Sequence, residues 1–246
     1  MSSLKDKVVI VTGAGSGIGE AIAKEFGRNE SKVVCADIKN AEKTAKAIED
    51  AGGTALAVNL DVSKASDWDA AKAKVLSEFG RIDALCNDAG TSEAVEIVDL
   101  KESDWDRIIN INLKGTMLGM KTVIPEFLKN GSGKIVNIAS EAAHVGLEGL
   151  PSYSASKGGV IAMSRQVAMT YAPNNIQINV VSPGIIKTPI LANNSPEMTK
   201  KFTEATPAGR LGKPEEIAYM VEFFVSEESN FITGQAIKVD GGWGSR

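Results

Sequence analysis

Seven residues between a strand and a helix narrow the possible fold of this chain more than any other stretch. Lys7-Val8-Val9-Ile10-Val11-Thr12 is a short run rich in β-branched residues, the pattern of a strand buried on both faces of a parallel sheet. It runs directly into Gly13-Ala14-Gly15-Ser16-Gly17-Ile18-Gly19, and a helical segment follows from about Glu20 to Arg28. Strand, glycine turn and helix start together form an anion site, because backbone N–H groups point outward and the helix dipole favours negative charge. Glycine is needed where the backbone turns tightly or comes close to a pyrophosphate. The spacing reads Thr-Gly-x-x-x-Gly-x-Gly, with Ile18 where a G-x-G-x-x-G motif would place its third glycine. The turn predicts nucleotide binding, with Gly13, Ser16, Gly17, Ile18 and Gly19 as candidate contacts.

A second apolar strand, Lys32 to Ala36, ends in Asp37. An acidic residue about 20 positions beyond the glycine turn is placed to take the ribose 2′-hydroxyl of NAD and to repel the 2′-phosphate of NADP. No arginine stands at Ser16 or Ile38, and Lys39 offsets the repulsion only in part. NAD is the expected cofactor and NADP the less favoured one. The alternative role for Asp37 is a cap on the next helix, Ala41 to Ala51.

The alternation continues. Strand Thr54 to Leu60 delivers Asp61-Val62, and a helix follows from about Ala65 to Phe79. Strand Ile82 to Cys86 delivers Asn87-Asp88-Ala89-Gly90. A long helix is expected from about Ser103 to Leu128, with Asn112 in its middle, where a helix former would be usual. Strand Gly133 to Ala139 ends at Ser140, a helix carrying Tyr153 runs to about Tyr171, and strand Ile176 to Val181 leads to Pro183-Gly184. From Ile185 to Gly212 the periodic signals are weak. A helix from about Pro214 to Val225 and a strand from Gln235 to Val239 close the chain. Strands alternating with helices, without a proline-rich linker, predict one α/β domain over residues 1–246: a doubly wound parallel sheet (Rossmann fold) with helices on both faces. Ligands of such sheets bind beyond the carboxyl ends of the strands. Gly13, Asp37, Asp61, Asn87, Ser140 and Pro183 all fall there.

Tyr153-Ser154-Ala155-Ser156-Lys157 adds chemistry to this edge. A tyrosine and a lysine four residues apart share one helix face. A free phenol titrates near ~10, and a neighbouring ammonium favours its ionised form. Moving an acid/base group toward the working pH serves proton transfer.

Other classes of function find no support. The net charge is −4, which gives no reason to expect nucleic acid or an anionic membrane as partner. No apolar run approaches the ~18 residues of a membrane span. The start of the chain, Met1 to Asp6, lacks an apolar signal core, so a cytoplasmic location is expected. Cys35 and Cys86 sit in apolar strand-like runs and read as buried free thiols, and with a single histidine no metal site is expected.

Taken together, these motifs resemble the classical short-chain dehydrogenase/reductase family over essentially the whole chain. The resemblance rests on Thr12-Gly13-x-x-x-Gly17-Ile18-Gly19, Asn87-x-Ala89-Gly90, Asn112, Ser140, Tyr153, Lys157, and Pro183-Gly184 with Thr188. It departs at Asp88, where the family usually has a second asparagine. The resemblance implies that Tyr153 acts as general acid/base on the substrate oxygen and that Ser140 hydrogen-bonds that oxygen. It implies that Lys157 biases the phenol toward phenolate and holds the nicotinamide ribose, and that Asn112 anchors a water through which Lys157 exchanges protons. Thr188 and Ile186 would contact the nicotinamide end and Asp61 with Val62 the adenine, with Asn87, Ala89, Gly90, Pro183 and Gly184 completing the dinucleotide site. Plainer roles stand beside these: Ser140 as a strand-end cap, Asn112 as a helix kink, Lys157 as a solvated charge.

For the substrate pocket the candidates are Ser140, Ala142, His144, Leu150, Ile185 and Ile190, with a lid over about residues 188–213. A small or medium, mostly apolar secondary alcohol or ketone, cyclic or a sugar, is the expected substrate. A 3-oxoacyl-carrier-protein reductase is the alternative within the fold, and a non-catalytic dinucleotide sensor the alternative outside enzymology. Apolar faces on the Asn112 helix and on the Tyr153 helix (Val160, Ile161, Met163, Val167), with the family's habit, lead us to expect a homotetramer.

Overall fold

The computed structural model describes residues 4–189, 191 and 195–245. Among these, β1 (Val8–Thr12), β2 (Lys32–Asp37), β3 (Thr54–Asn59), β4 (Ala84–Asn87), β5 (Gly133–Ile138), β6 (Ile176–Pro183) and β7 (Ala236–Val239) form one sheet in the order β3-β2-β1-β4-β5-β6-β7. Every pairing is parallel. The helices are α1 (Gly17–Arg28), α2 (Ala41–Asp50), α3 (Ala65–Phe79), α4 (Glu102–Ile109), α5 (Gly115–Asn130), α6 (Pro151–Tyr171), α7 (Pro196–Ala205) and α8 (Pro214–Val225).

The β-branched runs become central strands because both of their faces are covered. Along β1, Val9 and Val11 pack into one cluster with α1, α2 and α8, while Val8 and Ile10 enter the other with α3 and α5. This is the period of two expected of a strand. Each fully buried valine or isoleucine contributes about 1.5–3 kcal/mol, so β1 anchors both layers. The chain builds outward from β1 to β3, then returns to place β4 on the other side of β1. The carboxyl ends of β1 and β4 therefore border a crevice at the switch point. Thr12 is paired in register with Ala36 on one side and Asn87 on the other.

Several boundaries differ from the sequence reading. α1 starts at Gly17, inside the glycine motif, because the first helical turn is where N–H groups stay free for an anion. β4 starts at Ala84 rather than Ile82, and β7 at Ala236. The helix expected from Ser103 to Leu128 is a longer run in three parts, α4, a π-helical turn at Asn110–Lys114, and α5. α7, in the stretch with weak periodicity, begins at a serine cap: the Ser195 hydroxyl accepts the Met198 N–H at 3.2 Å. No helix among the described residues is long and apolar enough to cross a membrane.

Candidate active site

The crevice begins at the glycine turn. Gly13 has φ +71°, and a Cβ there would lie 2.9 Å from the Ala89 nitrogen. A Cβ on Gly19 would run into the Gly13 carbonyl. The turn is thus folded against the β4 turn with no room for side chains, and its outer surface is bare backbone at the start of α1. One strand over, Asp37 accepts the N–H of Gly15 at 3.0 Å and that of Lys39 at 2.9 Å. It does not cap α2, whose cap position is held by Asn40. Ser16 and Ile38 are exposed beside it and Ile18 is half-buried. A backbone cradle that any Cβ would fill, next to a carboxylate at the end of β2, fits a nicotinamide dinucleotide.

Thr12 locks the switch point: its hydroxyl oxygen accepts the N–H groups of Asp88 and Ala89, each at 3.1 Å. Asn87 turns its side chain into the sheet instead of the crevice. Its Nδ2 donates to Asn137 Oδ1 at 2.8 Å, and Asn137 Nδ2 donates to Ser164 Oγ at 2.8 Å. The Asn87 side chain thus braces β4 to β5. Asn112, fully buried in the π-helical turn, accepts the Thr91 N–H at 2.8 Å and donates to the Thr91 carbonyl at 2.9 Å and to Ser156 Oγ at 3.0 Å. Its side chain holds the segment after Gly90 against α6. The helix disturbance that the sequence offered as the plainer role for Asn112 is present as this π-helical turn.

Ser140, Tyr153 and Lys157 converge past the end of β5. Ser140 Oγ accepts the Ala142 N–H at 3.2 Å, capping a single 3-10 turn over Glu141–Ala143, and the same hydroxyl hydrogen-bonds the Tyr153 phenol. Lys157 is not a solvated charge. It is 4% exposed, donates to the Ile138 carbonyl at 2.7 Å, and lies 5.8 Å from the Tyr153 ring centroid. Burial pulls its pKa down to about 8, against the pull of Asp88. The expected bias toward phenolate is not what this cleft produces. Burial raises the phenol's pKa, and Asp88 adds to that, while the Ser140 hydrogen bond works the other way.

The remaining candidates are less uniform. Thr188 reaches over the glycine turn, its methyl 3.5 Å from where a Gly17 Cβ would stand. The Pro183-Gly184 turn packs on Asp240 at the end of β7. Ile186 is buried in the core and bridges Gly212. Asp61 is occupied by Ser63 and Lys64, which together hold its carboxyl below the usual range; the Ser63 hydroxyl is the larger influence. Val62 is buried under Gly115. Ala142 is buried beneath Ser140, and Leu150 and Ile185 are half-buried. His144 is exposed and pairs with Ser182 Oγ at 2.9 Å. Ile190 lies outside the described residues. Sequence reasoning gave no role to Gly15, whose Cβ would strike the Lys39 carbonyl, or to Thr91, the partner of Asn112. Gly15 was visible within the glycine motif; nothing local to Thr91 marks it.

The comparisons with known proteins bear on family and fold. Residues 13–244 match the family model described as enoyl-(acyl carrier protein) reductase. The 3-oxoacyl-[acyl-carrier-protein] reductase FabG of Thermotoga maritima is 39% identical over 242 residues, covering 97% of this chain and 98% of that protein. The 2,5-dichloro-2,5-cyclohexadiene-1,4-diol dehydrogenase LinX of Sphingobium indicum is 36% identical, covering 98% and 97%. The crystal structure of gox2181 matches with a TM-score of 0.95 at 29% identity, covering 99% and 98%. The chain belongs to the short-chain dehydrogenase/reductase family. It is an oxidoreductase of that family, whose members use nicotinamide dinucleotides.

Proposed function

We propose that this protein is an NAD-dependent oxidoreductase that interconverts a secondary alcohol and a ketone, with Tyr153 as general acid/base. The carrying observation is the Ser140–Tyr153 hydroxyl pair standing beside buried Lys157 at the sheet edge that also bears the glycine cradle. Two hydroxyls addressing one point can hold one substrate oxygen, Ser140 by hydrogen bond and Tyr153 by giving or taking its proton. A phenol kept protonated by burial is in the form that donates to a ketone oxygen. Lys157 brings a positive charge under the ribose and the phenol, and Asn112 fixes the loop that covers them. The bound nicotinamide supplies the carbon that gives or accepts hydride, and the chain's own part is orientation and proton handling.

Asp37 supports NAD over NADP, because its two carboxylate oxygens, each taking one backbone N–H, keep further lone pairs for a ribose diol and would repel a 2′-phosphate. Ser140, Ala142, His144, Leu150 and Ile185 form the substrate wall in this reading, with the described residues between Thr188 and Lys213 contributing to its lid. A cyclic secondary alcohol suits that wall, and the name of LinX describes a dehydrogenase of a cyclic diol. The FabG relative keeps a second reading open: a reductase of 3-oxoacyl groups on a carrier protein. Asp37 and the net charge of −4 speak against a usual NADPH cofactor and an acidic carrier. The partners of the favoured reading are a small-molecule substrate and further copies of the chain in a cytoplasmic homotetramer, without nucleic acid or membrane. Absorbance assays of NADH and NADPH with secondary alcohols, ketones and 3-oxoacyl thioesters separate the readings. NAD-linked turnover of an alcohol or ketone supports the first, and NADPH-linked turnover of thioesters alone supports the second.

A further inference from the structure

Asp88 stands where the family usually has asparagine, and the structure puts its carboxyl group inside the dinucleotide cradle. Its Oδ2 lies 3.0 Å from where a Gly13 Cβ would be and 2.8 Å from where a Gly19 Cβ would be. The carboxyl is therefore wedged between the first and last glycines of the turn, and the Gly19 N–H donates to it. That N–H belongs to the first turn of α1, the same group of donors that makes a helix start attractive to phosphate. An ionised Asp88 is thus an internal anion seated beneath the place where the pyrophosphate would sit.

We infer that dinucleotide binding to this protein is coupled to proton uptake by Asp88, whose neutral carboxyl takes the place of the family's asparagine amide. A protonated carboxyl has one donor and one acceptor in nearly the shape of a carboxamide. It accepts from Gly19 without opposing the incoming phosphates. The inference rests on the cofactor reading above and concerns this chain's own residue toward that group.

The surroundings of Asp88 allow the switch. From α6, Lys157 is the one facing cation and favours the charged form, and Tyr153 faces it as a neutral phenol. From the end of β2, Asp37 opposes the charged form. On its own strand Cys86 is a buried thiol pushed up by burial and by Asp88. From β1, α1 and the π-helical turn the neighbours are Thr12, Gly13, Gly19 and Asn112, none of which titrates near neutral pH. Burial outweighs Lys157 and the Gly19 hydrogen bond, so the carboxyl is pushed up to about 7. The phosphates of a bound dinucleotide would add negative charge to the cradle and move the balance further toward the neutral form. By linkage, the factor by which protonation tightens NADH binding equals the factor by which NADH raises the proton affinity of Asp88.

The test follows two signals across about pH 6 to 9. One is the side-chain carboxyl carbon resonance of Asp88, assigned as the signal missing from Asp88→Asn, with and without NADH. The other is the Kd for NADH, by calorimetry or fluorescence, in wild type and in Asp88→Asn. The expected result is a titration near neutral pH that NADH moves upward by about one pH unit or more, and a wild-type Kd that weakens toward about 10-fold per pH unit above that midpoint. Asp88→Asn keeps its NADH affinity through the same range, apart from any share that Lys157 adds. An Asp88 signal that titrates in the ordinary carboxylate range, or that NADH leaves unmoved, overturns the inference. So does an Asp88→Asn variant with the full wild-type pH dependence of Kd. If neither NADH nor NADPH binds at any pH, the cofactor reading fails and the inference falls with it, a result distinct from binding that ignores pH.

Discussion

Tyr153 and Ser140 are where residue chemistry decides most. Replacing the Tyr153 hydroxyl by hydrogen in Tyr153→Phe removes the proton-transfer group while keeping the ring that packs near Lys157. Turnover is expected to fall at least about 100-fold with the Kd for NADH nearly unchanged, and parallel loss of both would reassign Tyr153 to binding. Because burial raises the phenol's pKa, the protonated form dominates near neutral pH. Ketone reduction, which needs that form, is expected to fall as pH rises through the phenol's pKa, and alcohol oxidation, which needs phenolate, to rise. Opposite slopes in the two directions are the check. Asp37→Ala is expected to narrow the preference for NAD over NADP by about 10-fold or more, roughly 1.4 kcal/mol; an unchanged ratio contradicts the ribose assignment. At this scale the sequence was informative wherever a position is fixed by spacing along one strand end or one helix turn, as for the placement of Gly13, Asp37 and the Tyr153–Lys157 pair. It was silent on protonation, because the environments of Lys157 and Asp88 are set by burial that residue types alone do not report.

The elements carry a second layer of constraint, the polar brace inside the sheet. Asn87, Asn137 and Ser164 link β4, β5 and α6 through buried hydrogen bonds, and a Cβ on Gly119 of α5 would lie 2.6 Å from Asn87 Oδ1 and 2.9 Å from the Trp68 ring. Asn137→Leu would leave the Asn87 amide and the Ser164 hydroxyl without their partner, at an expected cost of about 1–3 kcal/mol in denaturant unfolding. Gly119→Ala should cost about 1–3 kcal/mol by forcing α5 off the sheet. Stability within a few tenths of a kcal/mol of wild type in both would mean the brace is unimportant. Strand and helix order was legible because buried strands read as β-branched runs, and proline at the first position marks the start of α6, α7 and α8. The inward turn of Asn87 was not, since an asparagine at a strand end serves a ligand or a neighbouring strand equally well. The π-turn at Asn112 escaped for a related reason: a mid-helix asparagine predicts a disturbance without saying which.

For the whole molecule, most of the apolar residues that suggested an interface are already used inside one chain. Ile108, Leu118, Val160 and Ile161 are buried, and Met163 and Val167 pack against the core. Among the described residues of α4, α5 and α6, what remains on the outside is Trp105, Met117, Leu128 and Met169, the last 75% exposed. The homotetramer expected from the sequence therefore rests on a smaller apolar surface on α4, α5 and α6, and sedimentation at micromolar concentration tests it: a stable monomer of the 246-residue chain would contradict it. The account as a whole stands on hydride transfer with Tyr153 handling the proton. Its most direct test is NADH absorbance during reaction with a panel of secondary alcohols and ketones, run side by side for wild type and Tyr153→Phe. The account predicts NAD-linked turnover of at least one compound class by the wild type and none above background by the variant. A variant that still turns over, or a wild type that binds NADH and stays silent across the panel, would contradict it.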